Sequence, residues 1–70
     1  MPYSVRSALT MLHDTCGLSD EDIGVLLLTR RETVNNIRHG RYTGRNIARR
    51  VALLMRALDE IERTAKRPAR

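Results

Sequence analysis

Seventy residues make one small domain, and a domain of that length buries only about 60% of the surface its unfolded chain exposes. With two Tyr as the only aromatics, the core must be aliphatic, and so short a chain has little room for a substrate cavity. The net charge of +5 is uneven: residues 1–29 carry one Arg against four acids, residues 30–50 seven Arg against Glu32 alone, and residues 51–70 five bases against three acids.

A basic block confined to one part of the chain suits a phosphate backbone, with a plain solvated face as the bland alternative. Arg outnumbers Lys twelve to one, which favours bidentate recognition of phosphate and guanine but is also what a GC-rich genome produces. The segment MPYSVRSALT has no apolar core of signal-peptide length, and the longest apolar run, Val51 to Met55, falls far short of a membrane span. Cys16 is alone, so no intrachain disulfide forms, and a cytoplasmic location with no membrane partner is expected. There are no paired acids, no Cys/His couple with an orienting third residue and no glycine-rich phosphate loop, so neither an enzyme nor a small-molecule substrate or cofactor is expected.

The first helix is predicted from Ser4 to Thr15. Val5, Ala8, Leu9 and Leu12 form one apolar stripe, Ser4 caps the start and Gly17 ends it. His13 and Cys16 lie three apart, but two ligands without a second Cys/His pair do not make a metal site.

The stretch Leu18 to Gly40, LSDEDIGVLLLTRRETVNNIRHG, reads as two short helices joined by a tight turn. Ser19 and Asp22 form a start signal, and the acidic run Asp20, Glu21, Asp22 sits where the helix dipole favours negative charge. Gly24 leaves room for a close approach. Thr29 and Glu32 read as a second capping box, placing the next helix start near Arg30, and Gly40 is its stop. With Val34 and Ile37 inward, a helical wheel turns Glu32, Asn35, Asn36 and His39 outward, with Arg31 at the edge. Arg and Asn fit guanine and adenine edges in the major groove, so Arg31, Glu32, Asn35 and Asn36 are the candidate base readers. The basic turn that follows offers Arg41, Tyr42 and Arg45 to phosphates, its alternative being an ordinary polar connection.

A last helix is predicted over residues 45–63, with Ile47, Val51, Leu54, Leu58, Ile61 and Ala65 at heptad spacing. It is long for this domain, so its second half is expected to overhang and pair with a second copy through Leu54, Leu58 and Ile61, widened by Leu53 and Met55. The alternative is that the helix folds back. Residues 1–63 are thus read as the domain and 64–70 as a disordered basic tail.

The 23 positions from Leu18 to Gly40 resemble, without a gap, the helix-turn-helix of the Cro/lambda-repressor (XRE-type) group, whose pattern is L-S-Q-E-E-L-A-x-x-L-G-V-S-x-x-T-I-S-x-I-E-N-G. Leu18, Ser19, Glu21, Leu27, Thr33, Ile37 and Gly40 are identical to it, and Ile23, Gly24 and Val34 are close. The resemblance implies an all-α, compact four- to five-helix domain with a central helix-turn-helix and a long C-terminal helix. It also implies base reading by Arg31, Glu32 and Asn36 and backbone contacts by Ser19, Arg30 and His39. The function implied is a small phage- or plasmid-type repressor, binding double-stranded DNA at an inverted repeat as a homodimer and often autoregulatory. Three departures stand out. Leu28 replaces the turn glycine and is strained if φ is positive there. Asp20 replaces a Gln and puts negative charge where phosphate would lie. Val25 and Leu26 replace polar residues and leave an apolar patch. That patch supports a second reading, a helix-turn-helix module binding a protein such as polymerase or a host factor. Glu32 is free for cytosine only if its capping box does not turn it back to Thr29.

Overall fold

The computed structural model describes residues 4–65, which form four α-helices and no strand. The helices are α1 (Val5–Asp14), α2 (Asp20–Leu27), α3 (Arg31–Arg38) and α4 (Ala48–Ala65), with a 3₁₀ turn, Arg45–Ile47, leading into α4. The all-α architecture expected from the sequence is present, with α2 and α3 as its central helix-turn-helix pair.

α1 starts where the Ser4 side chain accepts a hydrogen bond from the Ser7 amide at 3.1 Å. α2 starts with a complete capping box: the Asp22 amide donates to Ser19 Oγ, and the Asp22 carboxylate accepts from the Ser19 amide. The core is Ala8, Leu9, Leu12, Ile23, Leu27, Val34, Ile37, Ile47 and Val51, drawn from every helix, and no polar side chain is buried with them among the described residues. At about 25 cal/mol per Å² of apolar surface, this small aliphatic core is the main source of stability.

The turn between α2 and α3 is where the chain departs most from simple rules. Leu28 is left-handed, φ 55° and ψ 45°, the only such non-glycine residue described. Around it the Thr29 amide donates to the Gly24 carbonyl at 2.8 Å and the Leu28 amide to the Val25 carbonyl at 3.3 Å. This is a Schellman closure with leucine in the glycine place, at a conformational cost of about 1 kcal/mol. Arg50 of α4 reaches across and donates through Nη1 to the Leu27 and Leu28 carbonyls, at 3.3 and 3.4 Å. Gly24 permits the return of the chain, since a Cβ there would lie 2.8 Å from the Thr29 carbonyl oxygen.

Three boundaries differ from the sequence expectation, the simplest being that the first turn of the last predicted helix is 3₁₀, so that α4 itself begins at Ala48. The Thr29–Glu32 capping box does not form: the N-cap of α3 is Arg30, with no side-chain hydrogen bond, and the helix begins at Arg31. The cause is the closure just described. It uses the Thr29 amide to end α2, which moves the cap one residue on, to a side chain with no acceptor. At the other end, Thr64 and Ala65 belong to α4, so the helix runs past the expected boundary at Arg63, while the rest of the expected tail lies outside the described residues.

Along α4 the burial tapers. Ile47 and Val51 are fully buried, Leu54, Met55 and Leu58 lie partly buried against the core, and Ile61 is 64% exposed. Of the residues expected to form a contact with a second copy, Leu54 and Leu58 are thus shared with the chain's own core, and Ile61 alone stands clear of it. The outward apolar residues of α4 are Leu53, 54% exposed, and Ile61, with the exposed Ala57 between them.

Candidate nucleic-acid interface

α3 presents the surface to which the sequence points, and its seat on α2 is polar. Arg38 donates from Nε to Asp20 Oδ1 at 2.7 Å and from Nη2 to Oδ2 at 3.0 Å, while Asn35 Nδ2 donates to Oδ2 at 3.1 Å. The Arg38 and Asp20 side chains are only 16% and 19% exposed. The Arg38 hydrogen bonds, opposed by partial burial and assisted by Asn35, hold the Asp20 carboxyl down at about 2, and the same pairing raises Arg38.

This cluster gives Asn35 a second role beside the wheel reading. Its amide nitrogen donates to Asp20 and its backbone carbonyl accepts from His39 Nδ1 at 2.8 Å, so Asn35 helps seat α3 while its half-buried side chain lines the outward hollow. Asp20 is likewise a strut of the helix pair, its charge answered from within.

Arg31 and Glu32 project fully, their side chains 67% and 65% exposed, with Arg31 Nε donating to Glu32 Oε1 at 3.3 Å. The Glu32 backbone amide, with Arg31 second, lowers the Glu32 carboxyl below its usual range. Glu32 is thus not turned back to Thr29. Asn36 is half-buried, and its Oδ1 accepts from Arg41 Nη1 at 3.4 Å. Arg31, Glu32, Asn35 and Asn36 line, together with Asp20, one shallow hollow of about 400 Å³.

Past α3 the chain turns at Gly40, φ 77°, with the Arg41 amide donating to the Asn36 carbonyl at 2.8 Å. Arg41, Tyr42 and Arg45 are exposed, and the Tyr42 hydroxyl donates to Asn46 Oδ1 at 2.9 Å. Ser19 and Arg30 are exposed as well, the Ser19 hydroxyl oxygen accepting from the α2 first turn. Of the seven Arg in residues 30–50, Arg38 is committed to Asp20 and Arg50 to the carbonyls of the turn. Arg30, Arg31, Arg41, Arg45 and Arg49 present their charge to solvent.

Arg6 is a member of this surface that the sequence reading missed. It donates from Nε to the Arg38 carbonyl at 3.0 Å, and its guanidinium passes Gly40, where a Cβ would lie 3.2 Å from Nη1. With Ser4, Gly40, Arg41 and Tyr42 it lines a second hollow of about 400 Å³. As the one Arg of an acidic segment it carried no signal in the sequence. His13 and Cys16 engage different neighbours, Asp14 and Met11, and no group of three or more potential metal ligands occurs among the described residues.

None of the described helices is long and apolar enough to cross a membrane. Comparison with known proteins finds no family model, no curated protein and no solved structure that matches this chain.

Proposed function

We propose that this chain is a sequence-specific DNA-binding regulator of the small repressor type that its helix-turn-helix resembles, acting as a homodimer on an inverted repeat by occupying a promoter. The observation that carries the proposal is the outward face of α3. Arg31 and Glu32 project, with the half-buried Asn36 beside them, from a helix fixed to its neighbour by Asp20–Arg38, and four further arginines of the same basic stretch, Arg30, Arg41, Arg45 and Arg49, face solvent. A short polar helix seated on its neighbour and accompanied by solvent-facing guanidinium groups suits major-groove entry, which needs phosphate contacts to set the register and a few side chains to read base edges. Arg31 and Asn36 are the direct readers, Glu32 accepts from a cytosine amino group, and Arg6, Arg30, Arg41 and Arg45 hold phosphates.

Fluorescence anisotropy with the duplex upstream of the gene, against a shuffled duplex, tests this at physiological salt. Binding tighter by about 10³ or more is expected, the lower end of specific recognition. Equal, weak affinity for both, and for every sequence recovered from a random pool, would overturn it. A second reading rests on Val25 and Leu26, 71% and 53% exposed beside the turn. There the helix pair is a module for a protein partner, and binding that survives Arg31→Ala and Asn36→Ala but is lost in Val25→Asp would favour it.

A further inference from the structure

The outward stripe of α4 has a pattern that fits its own copy. Leu53, Ala57 and Ile61 follow at intervals of four, all exposed, with a small residue at the centre and a large aliphatic residue on either side. We propose that this stripe is a homodimer seat in which two α4 helices cross antiparallel, with the two-fold axis at Ala57. The proposal gives the homodimer reading above a definite surface and register.

The register follows from the symmetry. An antiparallel two-fold at Ala57 sets Leu53 against Ile61 of the second copy, Ile61 against its Leu53, and Ala57 against Ala57, so the small pair allows close approach where the helices cross. The edges of the stripe then decide between this partner and others. Arg56 and Glu60 lie on one edge, both exposed. Under this operation each edge meets its own counterpart, which brings Arg56 to within about 3 Å, along the helix axis, of Glu60 in the second copy. The pairing is made twice, once by each chain. On the other edge Leu54 and Leu58 face the core of their own chain, so the two globular parts fall on the same side of the helix pair, displaced along it. Arg50 stands opposite Thr64 of the second copy. The incoming helix end therefore approaches Leu28, 78% exposed, whose carbonyl Arg50 holds. Two such short stripes make a small interface, so association on the order of 10 µM is expected.

The test uses the full chain without DNA. Sedimentation is followed from about 1 to about 200 µM, a span that brackets the affinity expected of a small interface. Arg56→Glu and Glu60→Arg should each weaken the dimer by about 10-fold through like charges, and the double variant should recover it. In a Cys16→Ser background, Ala57→Cys should cross-link to a second copy on mild oxidation while Arg49→Cys should not. A chain that stays monomeric throughout, a double reversal that recovers nothing, or a dimer whose Ala57→Cys variant does not cross-link overturns the proposal. The outcome is separable from the DNA reading, because a monomer that still selects an operator leaves that reading standing, and a dimer that binds no duplex leaves this one.

Discussion

Arg38 and Asp20, eighteen residues apart in sequence, meet through two hydrogen bonds of 2.7 and 3.0 Å and fix the α3 helix on α2. Because the pair is largely shielded from water, its strength follows the ionisation of Asp20, whose carboxyl lies at about 2 against an ordinary 3.8. A depressed carboxyl contributes stability that is complete above the ordinary value and lost as pH falls through the folded one. The shift corresponds to about 2 kcal/mol. The unfolding free energy of the wild type relative to Asp20→Asn should therefore shrink by about that amount between pH 5 and pH 2. Parallel curves for the two proteins across that range would refute the role given to the pair.

Leu28 is expected to be a site of easy gain. Its side chain is 78% exposed and its backbone left-handed, so Leu28→Gly removes strain and little packing. A rise of about 1 kcal/mol is expected by chemical denaturation at submicromolar protein. Leu28→Val, β-branched in the same conformation, should lose stability instead.

Gly24→Ala should behave in the opposite sense. Its new methyl would sit 2.8 Å from the Thr29 carbonyl oxygen and 3.3 Å from the Arg31 amide nitrogen, both backbone atoms that cannot turn aside. A loss of about 1–3 kcal/mol is expected in thermal or denaturant melts. Because α3 would be pushed from its seat, duplex affinity should fall with it at temperatures where the variant remains folded.

The division of labour on the candidate interface is open to a salt titration. Arg31→Ala and Asn36→Ala should each cost about 1–3 kcal/mol on the preferred duplex and relax the choice of base at one position. Arg41→Ala and Arg45→Ala should weaken all duplexes alike and lower the slope of log affinity against log salt by about 1. Asn35→Ala should act differently from both, reducing stability as well as binding, since its amide is tied to Asp20. Identical behaviour of all five variants would remove the assignment.

The helices, the aliphatic core and the Ser19 cap were legible in the sequence because each depends on residues within one or two turns. Leu9, Leu12, Ile23 and Val51 announce their burial by spacing alone. What the sequence hid depends on distant partners. Thr29 and Glu32 have the spacing of a cap, but the closure of α2 claims the Thr29 amide first. Asn35 falls on the polar side of the wheel, yet Asp20 waits there from another helix. Leu54 and Leu58 keep a heptad rhythm that serves their own core as readily as a partner. Arg6 reaches the candidate interface only because the α1 start packs against the α3 end.

Arg50 also bears on how far the helix pair can be treated as a portable part. The left-handed turn that aims α3 is held by a guanidinium some 22 residues downstream, through the Leu27 and Leu28 carbonyls. A peptide cut at Gly40 would keep the strained leucine and lose the hand that grips it. Transplanting this helix pair into another scaffold thus means carrying the base of α4 along, or replacing Leu28 with the glycine that needs no such grip.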